Sequence, residues 1–457
     1  MSLAWFFERL EQAGEKTALV WYGRSYSYRW LLERALECGR ELQHQHVSAG
    51  TVLALLGDYS PDMCGYLLAA IDRGAIVVPL TSGASANRER LLEIAEVETI
   101  ARLHEAERPE YLRRGTTVRH DLLRKLRSAG EAGLVLFTSG STGEPKGALH
   151  SFPRLLEKYK ASRPALRTLA FMHLDHIGGV NTFFHILSNG GTVVTVAERS
   201  ADAVCAAIAQ WRVELLPTTP TFLNLLLLSD AYRRHDLSSL LQITYGTEPM
   251  PETTLERLRA ILPRVRLSQT YGLSELGILR ARSRSSDSLW VELGGDGVET
   301  RVVNGILWIR SATAMLGYLN APSPFDAEGW FNTQDAVEVD GTFFRILGRR
   351  SEIINVGGQK VYPTEVENVL LQIPNVRDVL VTGESNPITG QMVAACFNLR
   401  EPEQDDAFRR RVREHCRTRL LPYQIPSRIE IVTQEQYSSR FKKIRFSGAA
   451  AGESASR

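Results

Sequence analysis

Phe137-Thr138-Ser139-Gly140-Ser141-Thr142-Gly143-Glu144-Pro145-Lys146-Gly147 follows the apolar run Leu134-Val135-Leu136 and holds four hydroxyls, three glycines and one lysine. Glycines let backbone N–H groups approach an anion closely, hydroxyls add donors, and a lysine brings a mobile positive charge. This inventory suits a polyphosphate. The stretch is not a Walker A loop. Counted from Gly140, the sixth position is Pro145 rather than Gly, and Gly147 follows Lys146 where that loop needs Ser or Thr.

Working outward, Leu134 to Phe137, Thr192 to Val196 and Gln242 to Tyr245 are short apolar runs bounded by Gly, Ser or Thr, and each predicts a buried strand. Between them, Glu252 to Leu262 places Leu255, Leu258 and Leu262 at helical spacing behind Pro251. Strands alternating with helices imply an α/β fold with covered, parallel-rich sheets. After Gly348-Arg349-Arg350-Ser351-Glu352 the texture changes. Val366, Val369, Leu370 and Ile373 form one helical stripe, Val376 to Val381 and Ala394 to Asn398 predict strands, and Asp406 to Leu420 a second helix. The expected organisation is a large N-terminal α/β portion over 1–347, a hinge at 348–352 and a small mobile α+β domain over 353–457. A frayed tail is expected from Gly448 onward.

The chain has 457 residues, more than one compact core holds, with 44% hydrophobic, 23% charged and 8% aromatic residues. Lys and Arg number 54 against 52 for Asp and Glu, so the formal charge of +2 gives no general reason to bind nucleic acid or an anionic membrane. Five scattered cysteines without a Cys-x-x-Cys pair argue against a disulfide framework or structural zinc. With no apolar run long enough to span a bilayer and no leader-like start, the cytoplasm is the expected location.

Further motifs occur in a fixed order: Arg73-Gly74-Ala75-Ile76-Val77-Val78-Pro79-Leu80, Gly246-Thr247-Glu248-Pro249-Met250, Tyr271-Gly272-Leu273-Ser274-Glu275, Gly329-Trp330-Phe331-Asn332-Thr333-Gln334-Asp335 and Val356-Gly357-Gly358-Gln359-Lys360-Val361-Tyr362-Pro363. Together with the hydroxyl loop they make the chain resemble the adenylate-forming superfamily of acyl- and aryl-CoA ligases, nonribosomal adenylation domains and luciferases. Two departures stand out: Ser274 replaces Thr, and Gln334 stands where the pattern has Gly.

The resemblance implies ATP and Mg²⁺ as cofactors, with Thr138, Ser139, Gly140, Ser141, Thr142, Gly143 and Lys146 around the phosphates. Tyr271 would stack on adenine, with Gly246, Thr247, Glu248, Gly272 and Ser274 lining the same pocket. Asp335 would accept from the ribose hydroxyls, Arg349 would add positive charge, and Glu275 would help hold the metal, a hard cation that prefers oxygen. A C-terminal lysine would offset the repulsion between substrate carboxylate and α-phosphate. Aligned on Ser439, that residue is Lys443; Lys442 stands where the family has Gly and is the alternative. His176, Gly178 and Gly179 would border the acid, and Gly357 and Gly358 the thiol channel. A basic run, Arg409-Arg410-Arg411-Val412-Arg413, reads either as a solvated helix face or as a dock for CoA phosphate or an acidic carrier protein.

The implied activity is ATP-dependent conversion of a small carboxylic acid to acyl-AMP with release of pyrophosphate, then transfer to a thiol, with CoA favoured. A carrier-protein phosphopantetheine, an amine acceptor, or an inactive nucleotide-binding relative are the alternatives.

Overall fold

The computed structural model describes residues 3–82, 87–104, 108–139, 144–295, 297–438 and 441–444. Its strands Val52–Leu56 and Ile76–Leu80 are buried along their whole length, as continuous apolar runs in a covered parallel sheet must be. The helix Pro61–Asp72 between them buries ten of its twelve residues; Ser60 caps it by accepting from the Met63 N–H, and Pro61 fits its first turn.

Two seven-stranded sheets build the first part of the chain. One runs from Arg266–Gln269 through Gln242–Tyr245 and Leu215–Thr218 to Thr17–Trp21, parallel until Arg24–Ser27 closes its edge antiparallel. The other pairs Ile76–Leu80 in parallel with Gly133–Ser139, which turns back antiparallel onto Pro145–Ser151. The register of that hairpin sets Thr138 opposite Lys146. The hydroxyl loop is thus the connection of a hairpin at the end of a buried strand. Gly140 to Gly143 lie outside the described residues.

A third seven-stranded sheet spans Tyr271 to Arg349 and departs from the parallel-rich expectation, since every pairing in it is antiparallel. No helix lies between Tyr271 and Arg349, so the sheet lacks the crossover connection that parallel neighbours need. The strand Phe331–Asp340 pairs with Phe343–Arg349 so that Asp335 faces Arg349. Gln334, in place of the glycine, has φ +62°. A left-handed residue beside a bulge is what glycine ordinarily supplies.

A five-stranded sheet, with helices Pro363–Leu370 and Asp405–Arg417, forms the small C-terminal domain. Val366, Leu370 and Ile373 join Phe397, Phe408, Val412 and Cys416 in its core, while Val369 stays half-buried. Between this unit and the third sheet lies a short 3₁₀ turn, Arg350–Glu352, within the stretch expected to be the hinge. Both parts agree with a large α/β domain followed by a small α+β one. Among the described residues no helix is long and apolar enough to cross a membrane.

Candidate active site

Tyr271 opens the third sheet and is buried, and its phenol donates to Asp335 Oδ2 at 2.6 Å. The second oxygen of Asp335 faces Arg349 Nε at 3.3 Å. Burial raises the Asp335 pKa, while the Arg349 charge and the Tyr271 hydroxyl pull it back. This triad lines a cleft shared with Thr247, Glu248, Gly272, Glu352, Lys442 and Lys443. Residues almost two hundred positions apart therefore meet around one opening, as the motif order implies.

The strand Gln242–Tyr245 leads into this cleft. Gly246 follows it where a Cβ would come within 2.5 Å of Thr270 Oγ1, so no larger residue fits. Thr247 has φ +74°, a strained state for a β-branched residue. Glu248 is half-buried; its carboxylate accepts from the Thr221 N–H at 2.8 Å and from the Thr221 hydroxyl. Its other oxygen accepts from the backbone N–H of Lys443 at 3.2 Å. One side chain of the large domain thereby grips the C-terminal segment. Burial raises the Glu248 pKa against these donors.

The segment 441–444 crosses the cleft. Phe441 packs on Phe171 and Phe222, with ring centres 5.3 and 5.4 Å away, and its carbonyl accepts from the Thr219 hydroxyl at 2.7 Å. Phe441 has φ +53°, taking a left-handed turn without being glycine. The two lysines behind it point to different surroundings. Lys443 Nζ donates to the Val379 carbonyl at 2.7 Å and lies 3.2 Å from Glu367 and 3.4 Å from Asp378, all in the small domain. Both lysines line the cleft, and of the two it is the Lys442 charge that acts on Asp335.

Beside the hydroxyl-loop hairpin, Glu275 accepts from the Tyr318 phenol at 2.5 Å, and the Lys146 ammonium sits over the Tyr318 ring at 5.4 Å. Nothing in the motifs read from the sequence singles out Tyr318; its place between Glu275 and Lys146 comes only from the fold. Glu275 offers a single carboxylate, and among the described residues no group of three His, Cys, Asp or Glu could cage a metal. That donor set suits Mg²⁺, which is commonly held by one or two carboxylates together with phosphate oxygens.

His176 caps the helix Ile177–Ser188, its Nδ1 accepting from the Gly178 N–H at 3.0 Å. A Cβ on Gly179 would stand 1.9 Å from the His173 carbonyl, so helix packing alone requires this glycine. Gly357 and Gly358, at φ +59° and +87°, form the two-residue turn of a hairpin in the small domain. Ser274 lies between Tyr271 and Glu275 but does not line the cleft.

The sequence pattern of AMP-binding enzymes matches residues 6–319, and that of their C-terminal domain matches residues 365–442. The chain belongs to the AMP-binding enzyme family. Among its curated relatives, the indoleacetate–CoA ligase of Aromatoleum aromaticum is 29% identical, with 91% of each chain covered. The 2-succinylbenzoate–CoA ligase of Bacillus pumilus is 25% identical, with 94% of each covered. A solved anthranilate CoA ligase, AuaEII, in complex with anthranoyl-AMP, shares the fold of this AMP-binding enzyme with a TM-score of 0.82 at 21% identity, covering 96% of this chain and 95% of that one.

Proposed function

We propose that this AMP-binding enzyme activates a carboxylic acid with ATP and passes the acyl group to the thiol of CoA. A carboxylate oxygen attacks the α-phosphorus, the bond to the bridging oxygen of the β-phosphate breaks, and pyrophosphate leaves. The CoA thiolate then attacks the acyl carbon and AMP departs. The observation that carries this reading is the meeting of Tyr271, Asp335 and Arg349 with a lysine-bearing C-terminal segment around one cleft.

In this scheme Tyr271 stacks on adenine, Asp335 and Arg349 hold the ribose side, and Thr138 to Gly143 with Lys146 take the phosphates. Bound Mg²⁺ would neutralise phosphate charge, with Glu275 as its protein ligand. Positioning and charge neutralisation then supply most of the acceleration. The cation between carboxylate and α-phosphate is Lys442 or Lys443. What supports Lys442 is that its charge reaches Asp335 in the shared cleft, whereas the Lys443 ammonium already faces two carboxylates. His176, Gly178, Gly179 and Gly246 border the acid, and the Gly357-Gly358 turn meets the thiol after rotation about 348–352. Relatives named for aryl and arylalkanoic acids, and the Phe171, Phe222 and Phe441 rings, favour an aromatic acid. The cytoplasm supplies ATP and CoA together.

The test is exchange of labelled pyrophosphate into ATP across aromatic, short-chain, long-chain and amino acids, followed by product analysis with CoA, a carrier protein or an amine as competing acceptors. Acid-dependent exchange and acyl-CoA formation are expected. Retention of ATP with no exchange for any acid would identify a nucleotide-binding relative instead.

A further inference from the structure

The turn that carries Glu275 is held from below by its backbone carbonyls. Met315 N–H donates to the Glu275 carbonyl at 2.8 Å, and the Thr313 hydroxyl to that of Leu276 at 3.0 Å. These are ordinary neutral donors. The two outer carbonyls, of Ser274 and Ile278, are held differently: His150 Nε2 lies 2.6 Å from the first and Lys158 Nζ 2.7 Å from the second.

Both donors are unusual occupants of such a place. His150 is 1% exposed, on the strand Pro145–Ser151 that leaves the hydroxyl loop. A carbonyl can only accept, so Nε2 carries the hydrogen and Nδ1 is left as the bare nitrogen of a neutral ring. That Nδ1 is buried with no partner among the described residues. An apolar side chain would fill the same space without an orphaned acceptor. Lys158 turns its ammonium inward, onto the Ile278 carbonyl, Asn181 Oδ1 at 2.7 Å and the face of Tyr159 at 5.0 Å. No carboxylate among the described residues forms an ion pair with it. The fold thus bears two costs at the two ends of one turn.

We propose that His150 and Lys158 are positioning residues that clamp the Ser274–Ile278 turn and so fix the Glu275 carboxylate relative to the hydroxyl-loop hairpin. His150 gives the tie its reach, because it joins the outgoing arm of that hairpin to the turn. Tyr318, bonded to Glu275 and lying under the Lys146 ammonium of the hairpin arm, makes a second link between the same two parts. Neither clamp residue touches the cleft. The inference rests on the ATP-binding role given to Glu275 above.

The experiment compares full-length His150→Gln, His150→Asn and Lys158→Met with the wild type. Amide hydrogen exchange of the 272–279 peptide, calorimetric binding of ATP with Mg²⁺, and Michaelis constants in pyrophosphate exchange are measured. Glutamine can present an N–H near the Nε2 position, whereas asparagine falls short of the Ser274 carbonyl. His150→Asn and Lys158→Met should therefore expose the turn to faster exchange and weaken nucleotide binding about tenfold, with the Michaelis constant for the acid within about twofold of the wild type. His150→Gln should recover most of the protection and affinity. Equal behaviour of Gln and Asn, or lowered melting temperatures with an unchanged turn and unchanged nucleotide affinity, overturns the clamp. Wild-type protein that fails to bind ATP overturns the proposed function instead, while the exchange data still report on the clamp.

Discussion

Lys443 shows how one side chain's surroundings limit its chemistry. Its ammonium is committed to Val379, Glu367 and Asp378, so moving it to an α-phosphate would leave two carboxylates of the small domain without their cation. Lys442 carries no such commitment to a buried pair. Replacing Lys442 with Ala should therefore slow adenylation about a hundredfold or more, the loss expected when a transition-state charge goes unmatched. Lys443→Ala should act mainly by lowering the stability of the small domain, read as an earlier urea midpoint. A reversed pattern of the two variants would give the catalytic task to Lys443. Gln334 offers a separate test. Its φ of +62° suits glycine, so Gln334→Gly should stabilise the chain by about 0.5–1 kcal/mol, the left-handed strain relieved less the extra entropy of unfolded glycine. Neither the burial of Lys443 nor the exposure of Lys442 is legible in the sequence, where both are adjacent lysines in a motif lacking its glycine. Their difference arises from Glu367 and Asp378, which only folding brings near.

At the scale of elements, the strand before the hydroxyl loop, the strand Gln242–Tyr245 and the helix Glu252–Ile261 fall where apolar spacing puts them. The antiparallel sheet from Tyr271 to Arg349 was not readable as such, because many of its strands alternate weakly and its partners are set by turn geometry. The buried helix-end cluster around Lys158 escaped for a similar reason: a lysine in a polar stretch gives no sign of an inward-facing ammonium. It does have a measurable consequence. Burial lowers the Lys158 pKa to about 7. An unfolded lysine titrates near ~10.4. Between these values the unfolded chain holds a proton that the folded chain has released, so unfolding becomes harder as pH rises through that window. The stability of the wild type minus that of Lys158→Met should climb between pH 7 and 10, as urea unfolding would record. A flat difference would mean that the ammonium is solvated after all.

For the whole molecule, the ordered motifs were enough to anticipate the family and the two-part architecture, and they name Tyr271, Asp335 and Arg349, which the fold gathers at one cleft. The closure itself was not readable, since it depends on Phe441 finding Phe171 and Phe222 and on Glu248 accepting from the Lys443 backbone. Phe441→Ala should loosen this docking. Adenylation is expected to fall severalfold, while the rate of thiol transfer from supplied acyl-AMP stays within about twofold, because the proposed rotation about 348–352 would release this contact before the second step. Equal losses in both steps would mean that Phe441 serves general stability.

The crossing of the cleft by residues 441–444 also bears on synthesis of the protein. The lysine-bearing strip is made some three hundred residues after the hydroxyl loop and emerges from the ribosome last of the cleft's walls. A nascent chain folded as far as its third sheet would therefore hold the proposed berth for ATP without its last wall, and under the proposed scheme consumption of fuel would begin only once translation had passed this strip.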